Sequence, residues 1–367
     1  MHSPRNQKIM KHIISSFRHG HVSNALKMAW DVAFWPDHVF HLPDHLKIEM
    51  TTQCNLACLF CGRTYDIQVG CSSKADLLKH QRYLSLDAFE MIIEQIPGLQ
   101  SVDIQGTGEP LLHPQFAKIL ALCSAKNIAV EFFTNATQLD NAMAECILNA
   151  SVQRITFSID AATPDLFGRI RRGADLQRVS SNIASFMNLL HTSGKTLPHI
   201  RVMMVLSTVN LHEISGVLDL CRNWKVNEMV LSKINIPGAE LSLLEPNEDA
   251  LWQAIEGAEV LANQYGLRLT VEVSSNEGEA PTNIESSRKD GILPRCLWPW
   301  YSANLLVDGS VTPCAFISYS SAMNMGNVLE NGFGAIWNSA DYRKLRTAHR
   351  TGVWNNQPCS NCRNYVE

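Results

Sequence analysis

Apolar residues recur at helical spacing over positions 9–34 (Ile9, Ile13, Ile14, Phe17, then Val22, Ala25, Leu26, Ala29, Trp30). Gly20 interrupts them, which predicts two short helices. Trp35-Pro36 and Leu42-Pro43 end that segment. From about 45 to 236 the pattern switches repeatedly between period two and period 3.6. Strands are expected at 46–50, 101–105, 129–133, 154–159, 200–206 and 228–234. Amphipathic helices are expected between them at 86–96, 114–125, 142–148, 179–191 and 211–224. Six strands separated by helices predict an α/β fold, with a parallel sheet forming a complete or partial β/α barrel. In such barrels functional groups lie at the C-terminal ends of strands and in the loops after them. A helix at 247–265 and a strand at 267–273 follow, then a polar Gly/Pro-containing loop at 274–289. From Arg295 the pattern becomes short strands and turns. Four regions result: an N-terminal helical segment (1–44), the barrel segment (45–236), a linker helix, strand and loop (237–294), and a small C-terminal domain (295–367).

Bulk properties narrow the function. The chain has 367 residues, 46% hydrophobic and 18% charged, as in ordinary globular proteins. A net charge of −4 supplies no extended basic footprint, so no nucleic-acid partner is expected. No apolar run approaches the roughly 20 residues that span a bilayer. The start lacks a signal-peptide apolar block. A cytoplasmic protein without a membrane partner is therefore expected, and its eleven cysteines point to metal or redox chemistry before disulfides.

Seven of those cysteines fall into two sets. Cys54, Cys58 and Cys61 lie within eight residues, directly after the first expected strand. Thiolates this close suit one soft metal centre. A structural zinc site closes with four ligands, whereas three cysteines on a four-iron cluster leave one iron open to a small molecule. An incomplete zinc site or merely structural thiols are the alternatives. The second set is Cys296, Cys314, Cys359 and Cys362, which bracket the hairpin-like turn Val307-Asp308-Gly309-Ser310-Val311. Four thiolates fit a fully ligated cluster or a zinc ion.

Three further groups sit at expected strand ends. Gly106-Thr107-Gly108-Glu109-Pro110 follows the second strand; its glycines permit close approach to backbone, and Glu109 offers a carboxylate to an ammonium group. Thr134-Asn135 follows the third. Ser158-Ile159-Asp160 follows the fourth, with Arg169, Arg171 and Arg172 beyond it. A hydroxyl there can bind a ribose and an arginine can clamp a carboxylate; solvated helix-face arginines are the alternative.

Together, Cys54-x3-Cys58-x2-Cys61, Gly106–Pro110, Thr134-Asn135 and Ser158-x-Asp160 resemble the radical S-adenosylmethionine (SAM) enzymes over roughly residues 45–236. The resemblance implies a partial (β/α)6 barrel and a [4Fe-4S] cluster on Cys54, Cys58 and Cys61 whose open iron chelates SAM. It implies SAM contacts from Phe60, Gly106, Gly108, Glu109, Asn135, Ser158 and Asp160, and from either Arg169 or Arg171. The C-terminal cysteine pattern is similar to the SPASM and twitch extensions. With four cysteines rather than seven, and five residues after Cys362, it resembles the shorter twitch type with a single auxiliary [4Fe-4S] cluster. The implied activity is radical SAM oxidoreduction of a small molecule, namely dehydrogenation of a hydroxyl-bearing carbon in a sugar or aminocyclitol-like natural-product intermediate. A reductant such as flavodoxin or ferredoxin would supply the first electron, and the auxiliary cluster would accept the last. The short N-terminal segment leaves no room for a leader-peptide-binding domain, which favours a small substrate over a ribosomal peptide. Peptide modification, sugar epimerisation with Cys71 as hydrogen donor, and a non-catalytic electron-transfer or metal-binding protein are the competing readings.

Overall fold

The computed structural model describes residues 13, 14, 17, 20–64, 83–234, 244–272, 296–315, 323–353 and 359. Among them nine strands succeed one another along the chain: β1 (His45–Ile48), β2 (Ser101–Ile104), β3 (Ala129–Thr134), β4 (Val152–Ser158), β5 (His199–Leu206), β6 (Glu228–Lys233), β7 (Arg268–Glu272), β8 (Ser302–Leu305) and β9 (Val311–Thr312). The chain divides into two compact units. One comprises Met1–Met50, Leu84–Gly106 and Glu279–Glu367; the other comprises Thr51–Tyr83 and Thr107–Gly278.

In the second unit β3 to β7 lie in sequence order, each parallel to the next. The helices Asn141–Leu148, Leu176–Thr192, Ile214–Trp224 and Glu248–Tyr265 connect them. Their starts follow from local chemistry. Asp140, Asp175 and Asn247 each accept a hydrogen bond from a backbone N–H three residues on, which satisfies a first-turn donor. Gly266, at φ +64, closes Glu248–Tyr265 in the left-handed conformation that glycine adopts without strain. Along β5, Ile200, Val202, Met204 and Leu206 are buried, while Arg201, Met203 and Val205 between them are half-buried. One sheet face is therefore packed under helices and the other is more open.

In the first unit β1 pairs in parallel with both β2 and β8, and β9 returns antiparallel to β8. The turn between β8 and β9 is the one expected from Asp308-Gly309, with Gly309 at φ +85 and Ser310 N–H donating to Asp308. Arg346, wholly buried, lies over the Trp337 and Tyr342 rings and donates from Nε to the Pro299 carbonyl at 2.8 Å. Burial draws its guanidinium down to about 10.

The six expected strands are all present, each within two residues of its expected limits, β1 and β2 parallel in the first unit and β3 to β6 parallel in the second. Among the described strands β7 pairs only with β6 and β9 only with β8, so they do not close a ring. Two expectations change. The strand assigned to the linker is β7, a full member of the parallel array, because the Glu248–Tyr265 helix is an ordinary crossover back to it. Beyond β9 the chain is helical at Val328–Asn331, Phe333–Trp337 and Ala340–Thr351, where short strands and turns are expected from sequence. Tyr342, Leu345 and Ala348 give the last helix a buried face that its many charged residues obscure. The expected loop at 274–289 lies outside the described residues.

Candidate active site

The three clustered cysteines lie in the second unit, on a loop held by backbone contacts rather than by regular structure. Ala57 N–H donates to the Arg172 carbonyl at 2.9 Å and Leu59 N–H to that of Ile170 at 2.7 Å. Both acceptors belong to the turn that ends the helix Pro164–Ile170. Gly173, at φ +98, lets the two segments meet: an added Cβ would stand 3.2 Å from the Asn55 carbonyl oxygen. Cys54, Cys58 and Cys61 are half-buried and not disulfide-bonded, and Leu56 N–H points at the Cys54 sulfur from 3.5 Å. Burial pushes the Cys58 thiol up to about 12, against the pull of Arg171, and also raises Cys54. Such thiols give up their protons to a metal rather than to water. Among the described residues no three His, Cys, Asp or Glu side chains converge on one ion. A four-iron cluster asks for a different arrangement, one thiolate per iron. Phe60 is half-exposed between Cys58 and Cys61.

Glu109 is the buried charge of this unit. Its Oε1 accepts from Thr134 Oγ1 at 2.6 Å and from Leu111 N–H at 3.2 Å, and its Oε2 accepts from Asn135 N–H at 2.8 Å. Its own N–H donates to the Gln53 carbonyl at 2.7 Å, tying it to the cysteine loop. Among the described residues no lysine or arginine pairs with it, and burial raises its carboxyl above the ordinary range despite three donors. Arg171 acts on the same charge through space without reaching it as an ion pair, so the carboxylate can still receive a cation. Next to it, Gly108 is required by close approach: a Cβ there would fall 2.2 Å from the Thr51 carbonyl oxygen. At Gly106 a Cβ would strike the Glu49 side chain at 2.5 Å. The Asn135 side chain is used internally, accepting from Thr137 and donating to Asn55 Oδ1 at 3.2 Å.

Arg171 and Asp160 form a largely buried ion pair, Nη2 to Oδ2, at 2.7 Å. Burial lowers the Arg171 guanidinium, but Asp160, and after it Cys58, outweigh that and raise it. Its Nε–H, buried, has no acceptor, so one donor remains for a ligand carboxylate. Arg169, by contrast, is 69% exposed and pairs with Asp165 on the helix surface at 3.2 Å. The two arginines left open in the sequence thus differ in placement: the helix ends at Ile170, and Arg171 turns inward as its C-cap. Arg172 is exposed. Ser158, the last residue of β4, is half-buried with no side-chain partner among the described residues.

Two supporting residues escape sequence reasoning. Asn210 donates to the Asp160 carbonyl at 2.9 Å and to that of Val205 at 2.8 Å. Glu213 accepts from Ala162 N–H at 2.7 Å and from Thr163 N–H at 2.8 Å, bracing the chain just after Asp160. Burial works against the Glu213 carboxylate, but these donors and the Thr163 hydroxyl hold it below the usual range. The only signal for either residue is a polar cluster, Ser207 to Glu213, after β5.

The second cysteine set belongs to the first unit. Cys296, Cys314 and Cys359 are half-buried. Burial raises the Tyr301 phenol, and Cys296 and Cys314 both add to that, so the two thiols act on one ring. Cys362 and Cys71 lie outside the described residues.

Two stability tests follow from this packing. Gly108→Ala should destabilise the protein by about 2 kcal/mol or more, since backbone must shift. Gly257→Ala, where a Cβ meets open space at an exposed position of the helix Glu248–Tyr265, should instead be neutral or stabilise by up to about 1 kcal/mol; urea midpoints separate the two. Glu213→Gln should cost about 1–2 kcal/mol at pH 7. A carboxyl lowered in the folded state contributes above its unfolded value and loses that contribution as it is protonated. The difference from wild type should therefore shrink as pH falls below the ordinary carboxylate range.

Comparison with known proteins agrees with this geometry. Residues 48–221 match the Radical SAM superfamily and residues 296–363 match SPASM, an iron–sulfur cluster-binding domain. A probable GTP 3′,8-cyclase of Methanocaldococcus jannaschii is 26% identical over 48% of this chain and 55% of its own. A GTP 3′,8-cyclase of Syntrophomonas wolfei is 28% identical over 50% and 53%. The chain thus spans about half the length of these relatives. A tungsten-containing aldehyde ferredoxin oxidoreductase cofactor-modifying protein of Pyrococcus furiosus is 21% identical over 87% of this chain and 86% of its own. Among solved structures, Streptococcus suis SuiB bound to S-adenosylmethionine superposes with a TM-score of 0.67 at 17% identity, over 94% of this chain and 76% of SuiB. The cofactors of these domains are a [4Fe-4S] cluster with SAM and auxiliary iron–sulfur ligation. The chain carries a radical SAM domain followed by a C-terminal SPASM-type iron–sulfur domain, and is a member of the radical SAM enzymes.

Proposed function

We propose that this chain is a cytoplasmic radical SAM oxidoreductase that dehydrogenates a hydroxyl-bearing carbon of a sugar- or aminocyclitol-like intermediate. The observation that carries the reading is the difference between the two cysteine sets. Cys54, Cys58 and Cys61 are three, leaving one iron for SAM; Cys296, Cys314, Cys359 and Cys362 are four, enough to ligate every iron of a second cluster and suit it to electron transfer. In the first site Glu109 receives the SAM ammonium, and Arg171 offers its Nε–H to the carboxylate. Asp160 orients Arg171, Ser158 meets the ribose and Phe60 flanks the adenine. Gly106 and Gly108 admit the ligand to backbone, while Asn135 holds Glu109 through its N–H. When bound, SAM and the two clusters supply hydrogen-atom abstraction and one-electron acceptance, which with loss of the hydroxyl proton turn an alcohol into a carbonyl. A flavodoxin or ferredoxin is the reductant of this reading.

The sheet face that Ser158 shares offers polar groups for a hydroxyl-bearing substrate among apolar ones. By strand register Arg154, Thr156, Arg201, Glu228 and Ser232 lie on that face together with Phe133, Met203, Val205 and Val230. Arg201 Nε donates to Thr156 Oγ1 at 2.6 Å, and Arg154 is paired with Glu131.

Anaerobically reconstituted protein should hold about eight irons, two four-iron clusters' worth, and cleave SAM on reduction. Changing Cys54, Cys58 and Cys61 together to Ala should halve the iron and abolish cleavage. With a carbon-deuterated polyol substrate, deuterium should enter 5′-deoxyadenosine with one carbonyl product per SAM. Epimerised sugar, a crosslinked peptide or a cyclised nucleotide as the product would replace this reading.

A further inference from the structure

The helix Val22–Phe34 is apolar on two opposite sides. One side is enclosed: Ala25 and Met28 are buried, and so is Asp31, whose Oδ2 accepts from Phe40 N–H at 2.7 Å and from His41 Nδ1 at 2.6 Å. The other side is bare. Val22, Leu26, Trp30 and Phe34, spaced four apart, are 48, 58, 57 and 57% exposed. The Trp30 and Phe34 rings touch, with centroids 4.6 Å apart. Phe17 before the helix and Phe40 after it are also exposed. The stripe of four alone runs about 18 Å at 1.5 Å per residue. Helices apolar on all sides are normally enclosed, and bare apolar patches mark interaction surfaces.

Charge indicates the partner. Residues 1–30 contain Arg5, Lys8, Lys11, Arg18 and Lys27 and no acidic residue. The remaining chain holds 26 basic against 35 acidic residues, a net −9. Lys27 is exposed on the helix itself, and the first carboxylate of the chain, Asp31, is withdrawn into the fold. The sequence thus gathers five positive charges and no negative one in its first thirty residues, which include Val22, Leu26 and Trp30 of the bare face.

We infer that this N-terminal face docks on the surface of an anionic lipid bilayer. A stripe of Leu, Trp and Phe inserts at the level of the headgroups while flanking cations meet lipid phosphates. Such a boundary accepts an unbroken apolar stripe without shape complementarity. An acidic redox protein would use the cations, but small electron-transfer contacts have little need of four large apolar side chains in a row. No helix among the described residues is long and apolar enough to cross a membrane. The sequence expectation of no membrane partner rested on the lack of a spanning run, and surface docking requires none.

The test uses the full chain with phosphatidylcholine vesicles, with and without about one-third phosphatidylglycerol. Co-sedimentation should show at least tenfold stronger partition onto the anionic vesicles, weakened several-fold by raising salt from about 0.05 to 0.5 M. The double variant Leu26→Glu/Trp30→Glu should lose this partition with unchanged circular dichroism and iron content. Three results would overturn the inference: no partition by the wild type; equal partition by the variant; or a wild-type dimer, by size exclusion, that the variant makes monomeric, which would assign the stripe to a second copy. Binding to a purified flavodoxin lost in the variant, without lipid binding, would assign it to a protein partner instead.

Discussion

A carboxylate taken out of water needs compensation, and Glu109 has only part of it. Three donors hold its two oxygens and Arg171 acts on it through space, yet burial outweighs them and still pushes its carboxyl upward, because no side-chain cation among the described residues forms an ion pair with it. Hydrogen bonds fix where such a group points, and a counter-charge decides what it binds. The donors come from Thr134 and Asn135 at the end of β3 and from Leu111 beside it, so the charge is held by the ends of the parallel strands. Gln53, before the cysteines, accepts the Glu109 N–H. Cluster loop and carboxylate are therefore one construction.

Around that charge the rest of the site is a chain of positioning contacts. Asp160 fixes Arg171; Asn210 and Glu213 fix the backbone around Asp160. Arg172 and Ile170 carbonyls fix the cysteine loop from the same turn that places Arg171. A ligand carrying both an ammonium and a carboxylate would find complementary groups in Glu109 and Arg171. Each of the two is anchored before the ligand arrives, which limits the ordering that binding must bring about.

Much of this was legible in the residues. The strands of the parallel array announce themselves by alternating or continuous apolar residues, and the chemistry-bearing motifs fall at their ends because that is where barrel loops begin. What stayed hidden has identifiable causes. The helix Pro164–Ile170 is seven residues long with Gly168 inside it, too short for periodicity to register, so Arg169 and Arg171 could not be told apart. Asn210 and Glu213 read as ordinary polar residues because their partners lie about fifty positions away. The strand Ser302–Leu305 pairs with β1 across most of the chain length, and Ser-Ala-Asn-Leu carries no strand pattern of its own. The Ala340–Thr351 helix hides its buried face among Arg343, Lys344, Arg346 and Arg350.

In the proposed function Glu109 supplies the carboxylate that pairs with the ammonium of SAM. The most direct measure of this pairing is the dissociation constant for SAM of the cluster-loaded protein, compared between wild type and Glu109→Gln at equal iron content. A hydrogen bond to a charged group is worth about 1.5–3 kcal/mol, so the variant should bind SAM roughly ten- to a hundredfold more weakly. An unchanged dissociation constant would contradict the assignment, and with it the reason given for burying this carboxylate without an ion-pair partner.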